Sequence, residues 1–100
     1  MTKLKRVLAA AGLVLAGVGL AQAQITVGVT VSATGPAASL GIPERNTVAL
    51  MPTSIAGQTV KYIVLDDATD PTAAARNVAK LTSEEKVDVI IGSSTVPTSR

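Results

Sequence analysis

Three runs of β-branched and aliphatic residues, separated by helix-start signals, restrict the fold of this chain more than any other feature. The first, residues 25–31, reads Ile-Thr-Val-Gly-Val-Thr-Val. Side chains of this kind pack well on a pleated surface, so the run predicts a strand, with Gly28 marking a place where a neighbouring backbone comes close. The second run, residues 60–65, ends on Asp66 and Asp67, and the third, residues 87–91, leads into Gly92. Between the first two runs, Pro43 suits the opening turn of a helix that Pro52 stops at about Met51. Between the second and third, Asp70 is placed as a side-chain cap, Pro71 as the first helical residue, and an Ala-rich helix runs to about Glu84. Its apolar residues Ala74, Val78 and Leu81 fall at i, i+4 and i+7, which is one stripe suited to packing on a sheet. The order strand, helix, strand, helix, strand predicts an α/β fold: a three-layer parallel sheet with right-handed crossovers. Taking the three strands in sequence, the expected order in the sheet is 2-1-3.

The first residues carry a different instruction. Lys3, Lys5 and Arg6 precede an uncharged run from Val7 to Leu20, and the triplet Ala21-Gln22-Ala23 follows. A cationic start, an apolar core and small residues at the end make a secretory signal, with cleavage after Ala23 leaving Gln24 first. A permanent anchor fits less well, because the apolar core falls short of the roughly 20 residues needed to span hydrocarbon. With no Cys in the chain, lipid attachment through a thiol is excluded, and a soluble periplasmic protein is expected. The segment also distorts the composition. It holds three of the nine basic residues, so the formal charge of +2 becomes slightly negative for residues 24–100, with seven acidic groups against six basic. No polybasic patch is left, and a single aromatic residue offers no stacking platform, so nucleic acid is not an expected partner.

A mature chain of this length buries only about 60% of its unfolded surface and is marginal as a domain. Three strands and two helices also leave sheet edges unpaired and faces partly bare. The expectation is an incomplete lobe, residues 24–100, of something larger.

In open α/β sheets ligands sit beyond the carboxyl ends of the strands, where the strand order reverses. An order of 2-1-3 puts that crevice between the loops after the first and third strands, residues 32–41 and 92–98. Both are built from small and hydroxyl-bearing residues that let a ligand approach backbone N–H groups closely. The second loop is expected to lead into a helix opening at Pro97, whose N-terminus would favour a carboxylate. The competing reading makes these Ser and Thr residues ordinary turn and cap formers. Asp66 and Asp67, adjacent at a strand end, read as loop-capping or solvated groups and not as an acid/base pair. The sequence contains no His, and neither a G-x-G-x-x-G nor a G-x-x-x-x-G-K-[ST] pattern occurs, so dinucleotide binding, phosphate-loop chemistry and thiol or imidazole catalysis lack their residues. No cofactor, metal or enzymatic activity is expected.

Taken together, these residues resemble the N-terminal part of the type I periplasmic binding proteins, in particular the branched-chain amino-acid binding family that serves ABC importers. The resemblance rests on Ile25-Thr26-Val27-Gly28-Val29, on Thr34-Gly35-Pro36-Ala37-Ala38 with Gly41, on Leu65-Asp66-Asp67 followed by Asp70-Pro71, and on Val89-Ile90-Ile91-Gly92-Ser93-Ser94-Thr95. It implies a two-lobed receptor that closes on a small ligand, works as a monomer and delivers to an ABC permease in the inner membrane. It further implies that Ser93, Ser94 and Thr95 hold the ligand carboxylate and that Leu40 shapes the apolar end of the site. Members that bind leucine often carry an aromatic residue where Leu40 stands, and the connection over residues 52–58 is shorter than in typical members, so branched-chain or other apolar amino acids are the expected ligand and small aromatic carboxylates the alternative. Groups that fix the ligand's ammonium are expected beyond Arg100. A ligand sensor of the same fold is the other class that fits; a periplasmic α/β hydrolase would need a nucleophile elbow and a His that these residues do not supply.

Overall fold

The computed structural model describes residues 24–100, and the export segment read at residues 1–23 lies outside the described residues. The elements in order are β1 (Gln24–Val31), α1 (Ala38–Ala49), β2 (Ser54–Ile55), β3 (Gln58–Asp66), α2 (Pro71–Ser83) and β4 (Val89–Ile91). They form one sheet in the order β2-β3-β1-β4. β1 pairs in parallel with β3 from Gln24↔Thr59 to Val31↔Asp66, and in parallel with β4 from Val27↔Val89 to Val29↔Ile91. The expected α/β class and the 2-1-3 order are therefore present as β3-β1-β4.

β2 is an addition the sequence did not announce. Ser54↔Thr59 and Ile55↔Gln58 pair antiparallel, leaving Ala56 and Gly57 as a two-residue turn. Both have positive φ, 51° at Ala56 and 79° at Gly57, the backbone of a type I′ hairpin turn. Ala in place of the usual Asn or Asp removes the dipeptide signal, so residues 52–58 read as a plain connection.

Alternation along β1 divides the core. Val27, Val29 and Val31 join Val60 of β3 and Val48 of α1 in one buried cluster, with Ile25, Met51, Tyr62 and Val64 packed against it. Gly28 and Thr30 face the other way, toward α2. There Leu81 is fully buried, and a β-carbon on Gly28 would stand 3.0 Å from both Leu81 methyls and 3.1 Å from Val87. The close approach expected at Gly28 thus comes from a side chain and not from backbone. Burying Leu81 in this way is worth about 2 kcal/mol. With α1 and α2 on opposite faces, the architecture has three layers.

α2 follows its sequence signals closely. Asp70 has extended backbone and its carboxylate accepts from the N–H groups of Thr72 and Ala73, each at 3.2 Å. Pro71 opens the helix, which ends at Ser83 with Glu84 as its cap. Of the predicted stripe, Ala74 and Leu81 are buried, while Val78 stays 37% exposed on the flank beside β4.

α1 departs from expectation. It starts at Ala38, five residues before Pro43, and ends at Ala49. Pro43 lies inside the helix, where it cannot donate to the Ser39 carbonyl; Ser39 is exposed, so water can serve that oxygen. The residue at the cap, Ala37, has no side chain able to bond the helix start. The buried positions of α1 are Gly41 and Val48, so the helix docks through a missing side chain, and no apolar stripe marks its beginning.

The remaining strands differ from their predicted spans at the ends. β3 is longer than residues 60–65, whereas β4 begins two residues later than 87. Val87 N–H donates to the Leu81 carbonyl at 3.1 Å and Asp88 N–H to the Thr26 carbonyl at 2.8 Å, while the Asp88 carboxylate accepts from Thr26 N–H at 2.9 Å. These bonds tie the chain to the end of α2 and to β1 before the ladder starts.

Candidate functional site

At the carboxyl edge of the sheet, β1, β3 and β4 release three loops that meet around the side chain of Asp67. This residue follows directly on β3 and has no exposed surface. Its carboxylate accepts from Ser32 Oγ at 2.8 Å, Thr69 N–H at 3.0 Å and Thr30 Oγ1 at 3.1 Å, and also from Ser93 Oγ. One buried anion therefore links β1 and its loop to the loops after β3 and β4. Asn77 of α2 supports the arrangement by donating to Thr30 Oγ1 at 3.2 Å and to the Asp66 carbonyl at 3.1 Å.

Asp66, one residue earlier, is exposed and organises the loop after β1. Its carboxylate accepts from Thr34 Oγ1 at 2.6 Å, Ala33 N–H at 2.9 Å and Thr34 N–H at 3.3 Å, and from Ala68 N–H at 2.9 Å. The Thr34 hydroxyl, helped by these N–H groups and opposed by partial desolvation, holds the carboxyl below its ordinary value. Ala68 and Thr69 both adopt left-handed backbone, with φ of 54° and 64°. Each Asp accepts from the N–H two residues ahead, which is the local bond that makes such a turn tolerable. Thr69 Oγ1 then donates to the Thr34 carbonyl at 2.9 Å and accepts from Ala37 N–H at 3.1 Å, fastening the start of α1. The loop-capping reading of the pair is thus borne out. For Asp67 the solvated alternative is not, because four donors replace water around it.

The loops expected to face each other across the crevice do so. Ser32 N–H donates to Ser94 Oγ at 3.1 Å, and Ser32 Oγ lies 3.3 Å from Ser93 Oγ. The three hydroxyl residues after β4 have separate tasks. Ser93 directs its hydrogen into Asp67. Thr95 belongs to a local turn, its Oγ1 2.8 Å from that of Thr98 and its N–H donating to Thr98 Oγ1 at 3.3 Å. Ser94 alone of the three directs its hydroxyl to a side chain on α1, donating to Glu44 Oε2 at 2.6 Å. Leu40, 52% exposed, stands four residues before Glu44 and shares its face of the helix, on the side of α1 that reaches Ser94.

At Pro97, where a helix is expected to open, Ser99 N–H returns to the Val96 carbonyl at 3.2 Å and closes a turn. Glu44, Asp67, Thr30, Ser32 and Asn77, which build this site, were not singled out as ligand-site residues in the sequence. Thr30 and Ser32 carried a usable signal, being polar at alternate positions of an otherwise apolar strand end. Glu44 carried none.

A groove of about 460 Å³ lies behind this network on the α2 face, lined by Ala74, Ala75, Val78, Ile90, Gly92 and Thr98 among others. Its walls combine aliphatic residues of α2 and β4 with the polar Thr30, Ser99 and Arg100. Among the described residues no three His, Cys, Asp or Glu side chains are grouped to hold a metal ion.

The geometry is that of an open α/β lobe with its loops gathered at the carboxyl edge of the sheet. A family profile described as periplasmic binding protein matches residues 24–100, and the chain belongs to that family, with the type I fold. Among solved structures it is similar to an extracellular ligand-binding receptor from Rhodopseudomonas palustris HaA2, at 58% identity and a TM-score of 0.75, over 78% of this chain and 22% of that one. It is also similar to a solute-binding protein of an ABC transporter from Rhodopseudomonas palustris BisB5 in complex with 3,4-dihydroxybenzoic acid, at 31% identity and a TM-score of 0.72, over 77% of this chain and 22% of that one. A leucine-binding protein from Thermotoga maritima MSB8 matches at 26% identity and a TM-score of 0.65, over 74% of this chain and 22% of that one. The chain thus spans about a fifth of the length of the solved structures it matches. No curated protein matches it.

Proposed function

We propose that residues 24–100 form the first part of the ligand-binding lobe of a periplasmic receptor for an ABC importer, exported by the segment at residues 1–23. The receptor binds a small carboxylate without transforming it and hands it to a permease in the inner membrane. Ser94 supplies the hydroxyl for the ligand carboxylate, Ser93 and Thr95 shape the loop that presents it, and Leu40 borders the ligand's apolar part. The observation that carries this reading is that Ser94, between the two loops of the crevice, already donates to a carboxylate, that of Glu44 at 2.6 Å. A hydroxyl fixed by one N–H and free to donate to an oxyanion makes a short, charge-assisted bond.

Apolar amino acids are the first ligand class and aromatic carboxylates the second. The second is favoured by the relative described in complex with 3,4-dihydroxybenzoic acid, which is 31% identical to this chain. Thermal unfolding of the full-length protein against a panel of L-amino acids and benzoates tests both. A ligand at about a hundred times its Kd should stabilise the protein by roughly 2.7 kcal/mol. Absence of any stabiliser in both classes would overturn the reading.

A further inference from the structure

The contact between Ser94 and Glu44 has a consequence for selectivity. The Ser94 hydroxyl has a single hydrogen, which goes to Glu44 Oε2, while its oxygen accepts from Ser32 N–H. A ligand carboxylate that takes this hydroxyl must displace the one already there. Glu44 is exposed on α1, so its side chain can swing aside by rotamer changes at little cost. It remains tethered, however, and its charge stays near the seat it has left, within the screening length of roughly 8 Å at physiological salt. Its neighbourhood matters too: Glu44 is the sole acidic residue of α1, Leu40 one turn before it is uncharged, and the helix's single cation, Arg45, is the next residue along and so does not share the face of Leu40 and Glu44. A ligand with net negative charge feels that screened repulsion. A zwitterion, whose ammonium lies beside its carboxylate, feels much less.

The geometry points to Glu44 as a specificity-determining residue, a resident carboxylate that engages the Ser94 hydroxyl and disfavours net-anionic ligands relative to zwitterionic ones. This rests on the proposal that Ser94 seats the ligand carboxylate, and it makes amino acids the favoured ligand class.

Calorimetry on the full-length protein and its E44Q, E44A and S94A variants tests it, with L-leucine and 3,4-dihydroxybenzoate as probes and circular dichroism as the check on folding. In E44Q the affinity for dihydroxybenzoate relative to leucine should rise about tenfold, a difference of roughly 1.4 kcal/mol, and E44A should shift it in the same direction. Dihydroxybenzoate binding that appears only in the Glu44 variants supports the proposal equally. An unchanged or lowered ratio in both variants, with S94A weakening leucine, overturns the role of Glu44 and leaves Ser94 as the seat. If S94A leaves both affinities as they were, or if neither probe binds any folded form, the seat itself is wrong and the filter falls with it.

Discussion

Gly41 in α1 lies directly against the carbonyl oxygen of Ser32, the first residue after β1, with no room for a β-carbon between them. Ala is intrinsically better than Gly in a helix by about 1 kcal/mol. Here that gain is outweighed, because the obstacle is backbone and cannot rotate away. Gly41→Ala should destabilise the full-length protein by about 1–3 kcal/mol, the usual range for overpacking. It should also weaken ligand binding, since Ser32 holds Ser94. Denaturant titration checks the first effect; a variant as stable as the parent would contradict the contact.

Asp67 leads to a second expectation. Asn has nearly the same shape, but it presents an NH2 group to donors that need an acceptor, and it lacks the charge that strengthens the bonds. Asp67→Asn should therefore cost about 2–4 kcal/mol, the penalty for several disturbed bonds in a buried network. The midpoint of urea unfolding measures it. Substituting Asp70, whose carboxylate caps α2 at the surface, should cost only about 1 kcal/mol, so a smaller loss at Asp67 than at Asp70 would refute the hub.

Acid should expose the role of Asp66. Its carboxyl is held below the ordinary 3.8, chiefly by the Thr34 hydroxyl. The folded state thus binds its proton less readily than the unfolded state does. The stability it contributes is fully present above the unfolded value and is lost as pH falls through 3.8 toward the lower folded value. Wild type should exceed Asp66→Asn in stability by a constant margin from about pH 7 to about pH 5, and the margin should shrink by about pH 3. A margin that does not change over this range would show that the charge on Asp66 is immaterial.

The β2–β3 hairpin offers a change in the opposite direction. Ala56 occupies a left-handed position, φ 51°, where Asn is far better tolerated. Ala56→Asn creates the Asn-Gly pair preferred in such turns and should raise stability by about 0.5–1 kcal/mol. Differential scanning calorimetry on the pair of proteins decides it, and a lowered Tm would count against the turn assignment.

The elements that were legible in the sequence are those whose signals are carried by side chains. Asp70 and Pro71 placed the start of α2, and the β-branched run at residues 25–31 placed β1. α1 was misplaced because its docking depends on the absence of a side chain at Gly41, while Pro43, the most visible residue nearby, sits where a proline is merely tolerated. β2 was missed because Ala56 replaces the residue that usually announces the turn. At the crevice, composition indicated hydroxyl-rich loops but not how the hydroxyls are divided. Whether Ser93 turns inward to Asp67 or Ser94 outward to Glu44 depends on contacts between residues 26 and 50 positions apart, which no local pattern encodes.

The network around Asp67 has a thermodynamic consequence. Thr30, Ser32 and Ser93 all point their hydrogens into one shielded anion, so their rotors are fixed by the fold itself. In the proposed receptor, ligand capture on this side would lose little rotational entropy, and the ordering that remains would fall on Glu44 and Leu40. The three loops at this edge thus take their setting at folding, from one another.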